Sequence, residues 1–169
     1  VSFRSRAGKN GIKHGNERGT GYLAGYRTGF GRKNDRSQNK NTIDIVLSLN
    51  GIPVVAMELK NQLTGQSVNN AKRQFMYDRD EKEFCFRFNN RFLVYFCVDL
   101  YEVAMATHLL GDGTYFLPLN QGSNGAGNVG DGGNPKCENG YATSYLWERV
   151  LSPEMLLSIF QRYISKQTS

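Results

Sequence analysis

In the stretch VVAMELKN, at residues 54–61, four apolar residues are followed by Glu58 and Lys60 on either side of one leucine. A second carboxylate, Asp44, stands in the preceding apolar run TIDIVLSLN. Two carboxylates held side by side near a core repel one another, and each is costly to keep ionised unless positive charge lies between them. A divalent cation meets that need, and Mg²⁺ in particular takes oxygen ligands while keeping waters for a substrate phosphate. A lysine on the same face would stand beside the ion, holding an attacking water or offsetting charge that builds on the phosphate. The plainer alternative makes Glu58 and Lys60 an exposed strand end, with Asp44 paired to a nearby arginine. Glu-x-Lys is a very common tripeptide, so the pattern needs support from the elements around it.

Those elements are two strand-like runs, TIDIVLSLN and IPVVAMELK, joined across Asn50-Gly51, a strong hairpin signal. Side chains alternate along a strand, so the loop length decides which residues share a face. A two-residue loop pairs Leu49 with Ile52 and sends Asp44 and Glu58 to opposite faces. A three-residue loop, Leu49-Asn50-Gly51 with Gly51 as a G1 bulge, shifts the parity and puts Asp44, Glu58 and Lys60 on one face. We expect the second. That face then carries Asp44, Val46, Ser48, Ile52, Val54, Ala56, Glu58 and Lys60. The other carries Ile43, Ile45, Leu47, Leu49, Pro53, Val55, Met57 and Leu59. Both faces are mainly apolar, which points to an α/β sheet covered by helices on each side.

The segment GQSVNNAKRQFMYDRD reads as a helix with Val68, Ala71, Phe75 and Met76 on one stripe. RFLVYFCVDL reads as a buried strand, EVAMATHLL and TYFLPLN as further strands, and 153–164 as a helix opened by Pro153 with Ser152 as its cap. Residues 120–140 hold seven glycines and read as a long loop. Tyr145, Leu146, Trp147 and Val150 are expected to close the core rather than face a further domain. The three expected parts are a lead-in at 1–41, a core at 42–150 and a C-terminal helix at 151–169.

A chain of 169 residues with 39% hydrophobic content suits one globular domain. No apolar run approaches the roughly 20 residues that cross a bilayer. The chain opens on Val1 with no signal peptide, as a processed chain or a piece of a longer one would. Three cysteines and two histidines offer no zinc spacing, and a reducing interior, with Cys97 in the core, suits them best. The net charge of +6 is uneven: residues 1–41 hold 10 Lys/Arg against two acids, Glu17 and Asp35. That basic, Gly-rich lead-in, with Tyr22, Tyr26 and Phe30, fits either a phosphate backbone or a solvated segment, with at most a short strand near 22–26.

NTIDIVLSLNGIPVVAMELKN resembles the PD-(D/E)xK nuclease core found in the restriction (R) subunit of type I restriction enzymes. LTGQSVNNAKRQFMYDRD, FCFRFNNRFLVYFCVDLYEVAMAT, YFLPLNQGSNGAGN and GYATSYLWERVL continue that resemblance in order, over about residues 42–164. The resemblance implies a restriction-endonuclease-like α/β fold, a mixed central sheet flanked by helices. It also implies Mg²⁺-dependent hydrolysis of double-stranded DNA in the cytoplasm. Asp44 and Glu58 match the metal-binding acids, Lys60 the motif lysine, and the Leu59 carbonyl a further metal ligand. Gln74 and Tyr77 match the family's Gln-x-x-x-Tyr element near DNA loosely, being three residues apart. Pro is missing before the core Asp, and Glu17 is a distant candidate for an assisting acid. No GxxxxGK[ST] occurs, so ATP is expected only in the full-length subunit, whose motor would begin about where this chain stops. Specificity and methylation subunits are the implied partners. The rival reading is a silent module that binds DNA or docks subunits through its basic arm.

Overall fold

The computed structural model describes residues 26–27, 42–122, 132–138 and 140–164. The readings of the lead-in therefore lie outside the described residues, Tyr26–Arg27 excepted, as does the centre of the Gly-rich loop. Two short strands, β1 (Tyr26–Arg27) and β2 (Thr42–Ile43), pair antiparallel. Then come β3 (Ile45–Leu49), β4 (Ile52–Leu59), a 3-10 turn (Gln62–Thr64) and α1 (Val68–Tyr77). After an irregular stretch follow β5 (Val94–Val98), β6 (Val103–Ala106), β7 (Leu117–Pro118), a π-helical turn (Leu146–Val150) and α2 (Pro153–Tyr163). β3 to β7 form one sheet in chain order. Only the β4–β5 pair is parallel, because α1 carries the chain back over the sheet between them. This is the mixed, helix-flanked α/β sheet of a restriction-endonuclease-like fold.

The middle strands are apolar on both faces because both faces are covered. On one side Val46, Ala56, Tyr95, Cys97 and Ala104 pack against Val68, Ala71 and Phe75 of α1, with Phe86 and Phe92 from the irregular stretch. Tyr95 ties that stretch down: its ring meets Phe75 edge-on at 5.3 Å, and its hydroxyl donates to the Phe86 carbonyl at 3.2 Å. On the other side Val55, Met57, Phe96, Val98 and Met105 pack against Tyr145, Leu146, Leu156 and Ile159. Tyr145, Leu146 and Val150 thus close the core as expected, while Trp147 is exposed. Ser152 caps α2 by accepting from the Met155 N–H, as its place before Pro153 predicts. Met76 is only partly buried, at the margin of the α1 stripe.

The hairpin corrects one expectation. Leu49 pairs with Ile52, so the loop is the two-residue one, with Asn50 and Gly51 both at positive φ (51° and 84°). That pattern suits Asn-Gly and the right-handed twist of the strands. Parity is restored farther along: Ser48 pairs with Pro53 but Leu47 with Val55, which leaves Val54 as an extra residue. Pro53 has no N–H to give the ladder, so a bulge falls naturally beside it. From there Ile45 lies across from Met57, and the same register continued by one residue sets Asp44 across from Glu58. Two side-chain placements change with it. Val54 joins Val55 on the α2 side, and Ile43 packs on the α1 side because the chain bends at Asp44 between β2 and β3.

Asp99 joins the parts that the sheet does not. Its Oδ1 accepts from the Tyr101 and Glu102 N–H groups, both at 2.8 Å, closing the turn between β5 and β6. Its Oδ2 accepts from the Val68 N–H at 2.8 Å and from Gln62 at 3.2 Å, which fixes the start of α1 and the turn before it. A carboxylate suits the N-terminal end of a helix, where N–H groups lack intrahelical partners. Its backbone carbonyl also accepts from the Thr143 hydroxyl. Replacing Asp99 by Ala strands buried donors, so a loss of about 2–4 kcal/mol in urea unfolding is expected. Asp99→Asn, which keeps one of the two acceptor oxygens, should lose less; equal stability of all three chains would contradict this role.

Candidate functional site

β4 ends in Glu58, Leu59 and Lys60, and its last residues are locked to β5. Glu58 lies across from Cys97 and Leu59 from Val98, and the Lys60 N–H donates to the Val98 carbonyl at 2.8 Å. Glu58 is fully buried (0% exposed), which is rare for a carboxylate. Asp44 is exposed at the bend beside it, and its Oδ2 accepts from the Leu59 N–H at 2.8 Å. That bond pins Asp44 to the backbone between Glu58 and Lys60. Lys60 is nearly buried; its ammonium donates to Gln74 Oε1 at 2.5 Å and lies 3.9 Å from Glu58 Oε2. The structure thus brings Asp44, Glu58, Lys60 and Gln74 together, with the Leu59 backbone among them.

Tyr77 stands apart from that cluster. It is 62% exposed at the end of α1. With Gln74, Arg73, Asn70, Gln66 and Lys60 it lines an open cleft of about 300 Å³ next to the strand end. The face of α1 opposite its buried stripe is therefore the wall of this cleft. Glu17 lies outside the described residues.

The residue that sequence reasoning missed is Arg79, just past α1 and 5% exposed. An arginine does enter the site, but it pairs with Glu58 and not with Asp44. Arg79 Nη2 lies 2.6 Å from Glu58 Oε1 and donates to the Thr42 carbonyl at 2.8 Å. No spacing rule points to an arginine 21 residues downstream; its setting among acids in YDRDE suggests a solvated helix end. Glu58 Oε2, by contrast, has no hydrogen-bond partner among the described residues.

The electrostatics follow from this half-answered burial. Removal from water pushes the Glu58 carboxyl up to about 7, and the nearby Asp44 charge adds to that push. Arg79, through its hydrogen bond and charge, and Lys60 pull the other way without winning. A buried carboxylate oxygen that accepts no hydrogen bond, with the Lys60 ammonium no nearer than 3.9 Å and a second carboxylate alongside, is what an oxygen-seeking cation needs. No group of three or more His, Cys, Asp or Glu side chains gathers among the described residues, so this centre holds two carboxylates and no soft ligand. Cys97 is ordinary core, and all three cysteines are free.

Among the described residues no helix is long and apolar enough to cross a membrane. Comparison with curated proteins and with solved structures returns no match. The family model of the type I restriction enzyme R protein N terminus matches residues 32–121, a span that holds Asp44, Glu58, Lys60, Gln74, Tyr77, Arg79 and Asp99. With more than half its length so matched, the chain belongs to the family of type I restriction enzyme R protein N-terminal domains.

Proposed function

We propose that this domain is the Mg²⁺-dependent DNA endonuclease of a type I restriction enzyme R subunit and hydrolyses phosphodiester bonds. The observation that carries the reading is fully buried Glu58 with an unanswered Oε2, set beside Asp44 and Lys60 at one strand end. The donors fit Mg²⁺: Asp44, Glu58 and the Leu59 carbonyl offer hard oxygens, and a set this small leaves places for water and phosphate. When bound, the ion supplies Lewis acidity and a more acidic water. The protein's own residues supply the rest. The sheet holds the two carboxylates in place. Lys60, steadied by Gln74, presents its ammonium to a water or to a phosphate oxygen on which charge builds. Arg73 and Tyr77, on the cleft wall, contact the DNA backbone, and Gln74 links that wall to the lysine. In the whole enzyme, ATP-driven translocation would precede cutting, with target choice and methylation supplied by separate subunits.

Asp44→Ala, Glu58→Ala and Lys60→Ala are each expected to lower cleavage by the reconstituted enzyme at least roughly 100-fold. Folding and ATPase activity should survive in each variant, which separates loss of the cutting site from loss of the motor. Normal cutting by all three variants would sink the reading. DNA binding that ignores metal and falls steeply with salt, with no cleavage, would favour a silent binding module instead.

A second expectation concerns pH. Burial raises the Glu58 carboxyl from 4.5 to about 7, so the folded chain holds this proton more tightly than the unfolded one. The resulting stabilisation is fully present below about 4.5 and is lost as pH rises through about 7. Metal-free wild type should therefore lose stability across that window relative to Glu58→Gln, which has no proton to lose. Urea midpoints in EDTA at several pH values measure this. A wild-type-minus-variant difference that is flat or rises with pH would show that Glu58 does not titrate there.

A further inference from the structure

We infer that Arg79 is a positioning residue for the cation site, setting both the aim of Glu58 and its distance from Asp44. The inference rests on the nuclease reading above and adds a residue to it. One guanidinium nitrogen, Nη2, reaches two acceptors on two different strands: Glu58 Oε1 at 2.6 Å and the Thr42 carbonyl at 2.8 Å. Thr42 lies two residues before Asp44, in the short strand from which the chain bends into the Asp44 position. A single donor thus ties the strand that carries one acid to the side chain of the other.

The consequence for Glu58 is directional. With Oε1 engaged, the carboxylate plane is fixed and Oε2 is left turned toward Lys60, at 3.9 Å, with no donor of its own. Were Arg79 absent, the carboxylate would be free to rotate about its last bond, and neither oxygen would be held in a fixed direction. The site would then lose the fixed aim of Oε2, and Thr42 its tie to the Glu58 side chain. Arg79 is itself held by its burial, with side-chain exposure of only 2%. Its planar fork is rigid in a way that a lysine ammonium on a flexible stem is not. Partners that orient metal-binding side chains typically matter about 10–100-fold in metal affinity.

The test is Mn²⁺ binding to the full chain, followed by calorimetry or by the electron paramagnetic resonance of free Mn²⁺, well below each variant's Tm. Wild type should bind, and Glu58→Ala should not. Arg79→Met should bind about 10-fold or more weakly, and Arg79→Lys should fall between Arg79→Met and wild type. Tm in EDTA is measured in parallel. A merely structural arginine would lower Tm and leave the Kd of the folded fraction unchanged, which overturns the inference. If Arg79→Met does not fold, Arg79→Lys decides alone: affinity within about twofold of wild type overturns the inference, and a clear loss supports it. Mn²⁺ binding by wild type that Glu58→Ala leaves intact would overturn the metal reading and this inference with it. Normal binding by both Arg79 variants, with loss in Glu58→Ala, would overturn this inference alone.

Discussion

A fully buried carboxylate within a sheet is costly, and the ends of several elements in this fold converge on Glu58. Taking an ion out of water costs several kcal/mol even after relaxation, and an ion pair offsets that only where the remaining lone pairs are also met. Arg79 meets one oxygen of Glu58, and the other has no partner among the described residues. The balance is visible in the carboxyl itself, which burial pushes up to about 7 against the pull of Arg79 and Lys60. A residue placed for stability alone would not be left half satisfied. An apolar side chain of similar volume at the end of β4 would pack against the same neighbours without the penalty. The local cost makes sense where a further positive charge completes the arrangement, which is the pattern expected of a site built for binding rather than for folding.

The hairpin shows how such a site depends on the parity of one strand. Asn50-Gly51 announced a turn, and the turn is there. The same dipeptide serves both a two-residue loop and a longer one with a G1 bulge, so the turn signal alone does not settle the register. The informative residue was Pro53. A proline in the second strand cannot give the ladder its N–H, and a bulge beside it, at Val54, is the natural accommodation. Both devices insert one residue's worth of offset, which is why Asp44 and Glu58 share a face as expected, but for a different reason. The misplaced side chains, Val54 and Ile43, lie at the bulge and at the bend, where alternation breaks.

What the sequence made legible is local or periodic. The stripe of Val68, Ala71 and Phe75, the all-buried run of β5 and the Ser152-Pro153 start of α2 each follow from rules that span a few residues. What stayed hidden is long-range and polar. Arg79 reaches Glu58 across 21 residues, and Asp99 reaches Val68 across 31, through a stretch between α1 and β5 that carries no period. No propensity marks such partners, because their pairing is decided by how α1 lies on the sheet. Asp99 did carry a faint sign, an acid directly after a buried strand, where aspartates often close turns. Arg79 carried none.

Charge bookkeeping explains why α1 faces the site with its polar side as well as packing with its apolar one. Asp44, Glu58, Lys60 and Arg79 sum to no net charge when both carboxylates are ionised. By themselves these four side chains therefore exert little long-range pull on a phosphate. On the nuclease reading proposed above, attraction would come from the cation the carboxylates would hold and from groups outside the cluster, and the cleft wall provides Arg73 close by. Gln74 then has a specific use. It is neutral, so it adds nothing to the charge balance, yet its bond to Lys60 keeps the ammonium from collapsing onto Glu58, which remains 3.9 Å away. An acid in place of Gln74 would capture Lys60 outright and add a third negative charge beside an already strained carboxylate. A neutral acceptor at this position holds the lysine without consuming it.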